Sequence, residues 1–97
     1  MRKVISEEYL DYIRAKPCTA CGKRPVDPDH IKARGWESAK RVDVFALPMC
    51  REHHSERGQI GNERFEAKHH LNLWRCVAEL MCEFFIERGE NDLLKKP

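Results

Sequence analysis

Cys18-Thr19-Ala20-Cys21, then Asp29-His30-Ile31, then Cys50-Arg51-Glu52-His53-His54: two pairs of metal-binding side chains bracket a carboxylate–imidazole step. Zn²⁺ takes four tetrahedral ligands of thiolate or imidazole type. Cys18 and Cys21 offer two from a tight turn, where Gly22 can take positive φ. Cys50 and His53 are three apart, so on a helix they share a face. The pattern is Cys-x-x-Cys, a 28-residue gap, and Cys-x-x-His. His54, four residues after Cys50, shares that face as well, so either His53 or His54 can complete the set. A redox Cys-x-x-Cys is the competing reading, but it needs a βαβ context that this chain lacks.

Working outward, Val26 to Ile31 reads as a short strand, kept short by Pro25 and Pro28. Val42 to Met49 is the stronger strand candidate, with Val42, Val44, Phe45, Ala46 and Leu47 apolar and mostly β-prone. A helix is expected from about Met49 to Arg57, broken by Gly58 and Gly61. Asn62 can cap a short helix through about His69, where His69 and His70 suit a helix end. A last helix is expected from Asn72 to Arg88, with Leu73, Val77, Leu80, Met81 and Phe84 at helical spacing and Gly89 past its end. Before the first cysteine, Ser6 reads as an N-cap, Glu7 and Glu8 as a first turn, and Pro17 as the stop.

The chain's 97 residues suit one domain, residues 1–97, with a metal core over 18–57 and C-terminal helices over 62–88. A metal staple helps so short a chain to fold. Charged residues make up 35% and hydrophobic ones 41%, which excludes a disordered polymer. Net charge is only +2, but residues 14–57 carry ten Lys/Arg against six Asp/Glu, so the basic excess lies with the ligand candidates. Five cysteines and no apolar run of spanning length argue against a disulfide framework and a membrane, and place the chain in the cytosol. Cys76 and Cys82 read as small core hydrophobes.

Asp29 and His30 point to opposite faces of a strand. If His53 is on zinc, His54 points about 100° round the helix and can face Asp29. A hard cation such as Mg²⁺ or Mn²⁺ suits a carboxylate, an imidazole and phosphate oxygens.

On Cys18-x-x-Cys21, Asp29-His30-Ile31, the Gly35 loop and Leu47-Pro48-Met49-Cys50-Arg51-Glu52-His53-His54, the chain resembles the HNH nucleases of the ββα-metal finger group. It is most similar to small phage and prophage HNH-like proteins, whose Pro-x-Cys-x-x-His-His run is followed by a Gly and Phe-Glu; compare Gly61 and Phe65-Glu66. The resemblance covers roughly residues 18–72. It implies a zinc-stabilised ββα fold of α+β class and a metal-dependent endonuclease that hydrolyses DNA phosphodiesters in a bacterial host cell. Asp29 and His54 would bind the catalytic Mg²⁺ or Mn²⁺, and His30 would be the general base. Cys18, Cys21, Cys50 and His53 would hold the structural zinc. Where spacing puts the family's middle Asn, this chain has Phe45, and nearby Asp43 is the candidate to orient the base. Gly58 stands where some relatives carry a third His.

Lys32, Arg34, Lys40 and Arg41 ring the loop between the strands and can neutralise phosphates, with Trp36 at its tip for stacking. The alternative function is a non-catalytic zinc module that binds nucleic acid or a phage recombination or replication protein. Leu73, Val77, Leu80 and Phe84 could also pair two copies through the C-terminal helix.

Overall fold

The computed structural model describes residues 3–32 and 41–88. Among them are four α-helices and one two-stranded sheet, an α+β arrangement. Helix α1 spans Glu7–Arg14. Ser6 starts it, its hydroxyl accepting from the Tyr9 amide, with Glu7 and Glu8 in the first turn. Tyr9, Leu10 and Ile13 are its buried face.

Strand β1, Asp27–His30, pairs antiparallel with β2, Ala46–Met49, with Asp29 opposite Leu47 and His30 opposite Ala46. Pro28 faces Pro48 across the pair. Neither proline can donate, so the register sets both where the ladder asks for no N–H. The second strand is shorter than the apolar run Val42–Met49 predicts. Asp43–Phe45 instead forms a 3-10 turn, and Val42 makes an isolated parallel bridge with Val4. The reason is the fully buried Asp43 carboxylate, which the turn aims at its partners on the N-terminal segment and on β1.

Helix α2, Arg51–Ile60, follows β2 directly, with Cys50 as its N-cap. Gly58 lies inside this helix and does not break it. The break comes at Gly61, whose φ of +87° only glycine adopts readily. Helix α3, Asn62–His69, is capped by Gly61, not Asn62. The Asn62 side chain accepts from Arg57 instead. Helix α4, Leu73–Glu87, is capped by Asn72 through the Arg75 amide.

Leu47, Met49, Phe65, Leu73 and Val77 are at most 1% exposed and join the sheet to α3 and α4. Tyr9, Ile13 and Phe84 form a smaller cluster between α1 and α4, and Leu80 and Met81 pack against both. Leu73, Val77 and Phe84 are therefore consumed inside the chain, and the apolar stripe expected to pair two copies is not on the surface. Cys76 is half-buried against the core, but Cys82 is exposed, contrary to its reading as a core residue. Among the described residues, no helix is long and apolar enough to cross a membrane.

Candidate functional site

The first half-site is a knuckle. Cys18 N–H donates to the Lys23 carbonyl (3.0 Å), and Gly22 N–H to the Cys18 carbonyl (2.8 Å) with Gly22 at φ +77°. Thr19 ties the knuckle to β2, its amide and hydroxyl both donating to the Pro48 carbonyl at 2.8 and 3.0 Å. That contact sets the knuckle two residues from Cys50, where α2 begins. His53, one turn into α2, then meets the sulfurs. Its Nδ1 lies 3.2 Å from Cys50 Sγ and 3.8 Å from Cys18 Sγ, and Cys21 Sγ lies 3.9 Å from Cys50 Sγ.

All four ligand atoms fall within 4.8 Å of one another. A zinc ion with bonds of about 2.3 Å to sulfur and about 2.0 Å to nitrogen asks for sulfur–sulfur edges of about 3.8 Å and sulfur–nitrogen edges of about 3.5 Å. The Cys₃His group fits a metal such as zinc. Burial would push the Cys18 thiol up, but the backbone amides of Cys50, Ala20 and Cys21 outweigh it and bring it down to about 6. The Lys23 amide pulls the Cys21 thiol down, yet burial and the neighbouring sulfurs of Cys18 and Cys50 leave it raised.

His53, not His54, joins the cysteines. Behind it lies a second group that the sequence does not announce. Glu56 Oε1 is 2.7 Å from His69 Nε2, and His53, Glu56 and His69 also place ligand atoms within 4.8 Å of one another. Lys68 and His69 hold the Glu56 carboxyl below its ordinary range. The His69 ring stands nearly perpendicular to that of His53 at 5.0 Å. His69 thus backs the metal group and is more than a helix-end cation. The one sequence signal is the i, i+3 spacing of His53 and Glu56 on a single helix.

His54 turns toward β1, its Nε2 3.4 Å from Asp29 Oδ1. Asp29 is only 1% exposed, and both of its oxygens are already engaged by Arg57. Arg57 Nε donates to Oδ2 at 2.6 Å and Nη2 to Oδ1 at 2.7 Å, while Nη1 donates to Asn62 Oδ1 at 2.7 Å. This differs from the open carboxylate–imidazole pair that a divalent ion requires. Any divalent ion at this pair would share the carboxylate with the guanidinium that lies against it.

His30, at the end of β1, is about one-third exposed, and its Nε2 is 2.8 Å from Asp43 Oδ1. Asp43 also accepts from Arg41 Nε (2.6 Å), Arg41 Nη2 (3.0 Å) and the Ser6 amide (2.7 Å). Burial alone would raise the Asp43 pKa, but the Arg41 guanidinium, the Ser6 amide and His30 together hold it below the ordinary carboxylate range. An ionised Asp43 accepts from Nε2–H of His30, which leaves the Nδ1 lone pair as the basic atom.

Of the residues expected to meet phosphate, Lys32 is exposed two positions after His30. Arg41 is turned inward, its guanidinium on Asp43 and, at 3.2 Å, on Glu7. Arg34 and Lys40, with Gly35 and Trp36, lie outside the described residues, as does Gly89.

The family model described as "Protein of unknown function (DUF968)" matches residues 1–86. Over 57 residues the chain is 37% identical to the "Uncharacterized protein YdfU" of Escherichia coli strain K12, a match that covers 57% of this chain and 16% of that relative. No solved structure matches significantly.

Proposed function

This chain belongs to the DUF968 family, whose description states no function, and we propose that it is an HNH-type module that hydrolyses phosphodiester bonds in DNA. Cys18, Cys21, Cys50 and His53 would hold a structural zinc that fixes the knuckle to the start of α2. The observation that carries the reading is the His30–Asp43 contact. The partly exposed imidazole of His30, next to Asp29 on β1, is oriented by the fully buried, ionised carboxylate of Asp43. Asp43 would then do the orienting work of the middle Asn of HNH nucleases, from a position two residues before Phe45.

In this chemistry His30 Nδ1 takes a proton from water as the water oxygen bonds to phosphorus. The bond from phosphorus to the leaving 3′ oxygen breaks, and that oxygen gains a proton from solvent. The products are a 5′-phosphate and a 3′-hydroxyl. A divalent ion, when bound, would add charge neutralisation at the leaving oxygen. The engaged Asp29 gives no support to a step through such an ion.

The test is metal analysis followed by nicking of supercoiled plasmid, without divalent ions and with added Mg²⁺ or Mn²⁺. The expected result is one zinc per chain and cleavage that falls at least about 100-fold in His30→Ala, the lower range for loss of a general base, with zinc content unchanged. The second reading, a zinc module that binds nucleic acid or a recombination or replication protein without cutting, is favoured by the closure of Asp29 by Arg57. It predicts no cleavage by wild type and undiminished DNA affinity in His30→Ala.

A further inference from the structure

We propose that Arg57 is the resident cation of the Asp29–His54 position and binds a DNA phosphate there with no divalent ion. The inference rests on reading this face as a phosphodiester site. A carboxylate as buried as Asp29 needs a positive partner. Arg57 meets that need permanently, since a guanidinium does not titrate in the working range. Its side edge lies flat on both Asp29 oxygens, a bidentate geometry specific to Arg. Two of its five N–H groups go to Asp29 and one to Asn62, which leaves two for a further acceptor. The side chain keeps 17% of its surface exposed.

The surroundings fit a phosphate. A shallow cleft of about 380 Å³ opens beside His54 and is lined by Asp27, Arg51, His54 and Ser55. Arg51 is 89% exposed and lies 3.5 Å from Asp27, a solvent-screened contact. His54 is 40% exposed. Arg51 and His54 line this cleft, and Arg57, three residues after His54 on the same helix, meets the Asp29 carboxylate that His54 also approaches. A divalent ion would compete with Arg57 for the same carboxylate, and one bound through both oxygens would strand the guanidinium in a half-closed site. A phosphate needs no displacement.

The test uses zinc-loaded full chain in buffer stripped of other metals, with a short labelled DNA duplex followed by fluorescence anisotropy and Mn²⁺ binding followed by electron paramagnetic resonance. Wild type should bind the duplex without Mn²⁺ and show no saturable Mn²⁺ site. Arg57→Gln should weaken DNA binding about ten- to hundred-fold, the range for loss of a charge-assisted contact, and should gain a Mn²⁺ site that Asp29→Asn removes. If Arg57→Gln loses zinc or its fold, the double variant Asp29→Asn/Arg57→Gln removes both charges together and should show the same loss of DNA affinity. The proposal is overturned by wild type that binds no DNA, by DNA affinity that survives Arg57→Gln or the double variant, or by a wild-type Mn²⁺ site that Asp29→Asn abolishes. DNA binding through Arg57 with no cleavage overturns hydrolysis and leaves this inference standing. Cleavage that requires Mn²⁺ and is undiminished in Arg57→Gln does the reverse.

Discussion

Asp43 links three parts of the chain through one carboxylate: the His30 imidazole on β1, the Arg41 guanidinium, and the Ser6 amide ahead of α1. Its pKa is lowered in the fold, so its contribution to stability is fully present above the unfolded value, at neutral pH. That contribution is lost as pH falls through the folded value, below the ordinary carboxylate range. Asp43→Asn should therefore destabilise the protein by about 3 kcal/mol at neutral pH, at the low end for breaking a buried charge network. The variant should also show a flatter loss of stability on acidification than wild type. Urea unfolding from neutral to acid pH checks both. Equal acid slopes for the two proteins would remove Asp43 from the account. The sequence points to Asp43 only through its nearness to the expected Asn position. Its partners His30 and Ser6 lie 13 and 37 residues away in the chain, and no local pattern carries that information.

Helix α2 has no fully buried residue, which sets it apart from α1, α3 and α4. A helix of ten residues with so little apolar burial is marginal alone. Cys50 and His53 would anchor it on one side through a metal, and Arg57 on Asp29 anchors it further along. Removing the metal should release the first anchor. Chelation is expected to lower far-ultraviolet helicity by roughly the share of α2 and to restore it when Zn²⁺ is returned. Cys50→Ser should bind zinc more weakly and show the same loss without chelator. Unchanged helicity in metal-free protein would mean that packing alone holds α2. The spacing Cys50-x-x-His53 is enough to put these two residues on one face, because helical geometry is local. It leaves His53 and His54 as equals. The angle at which α2 meets β1 separates them, sending His53 to the sulfurs and His54 to Asp29.

Across the whole molecule the two apolar clusters have separate duties. The larger one, around Leu47, Met49, Phe65, Leu73 and Val77, supports the sheet and the metal group. The smaller one fastens α1 to α4 through edge-on packing of Phe84 against Tyr9 (4.9 Å) and Tyr12 (5.1 Å). Phe84→Ala should cost about 3 kcal/mol, the low end for a large buried aromatic, a sizeable part of a total of about 5–15 kcal/mol for a chain of this kind. Zinc stoichiometry should nonetheless stay the same, because Phe84 lies outside the cluster that contains Cys18 and packs against Cys50. Thermal unfolding and metal analysis of the variant give the two readings. Loss of zinc together with stability would show that the clusters fold as one.

What can be read from the chain alone is local. Ser6 as a cap, the buried period of α4, the knuckle with its positive-φ glycine, and each of the half-sites Cys18-x-x-Cys21 and Cys50-x-x-His53 follow from backbone geometry over a few residues. Which face meets which partner is a property of the assembled fold. Tertiary contacts cut β2 short so that Asp43 could turn to His30, and they folded the apolar stripe of α4 into the chain's own core. They also laid Arg57 across Asp29, 28 residues away. Periodicity names the face of an element and not what lies opposite. For buried charges the opposite partner decides the chemistry, because an ionised group leaves water only where another charge or a set of donors is already in place.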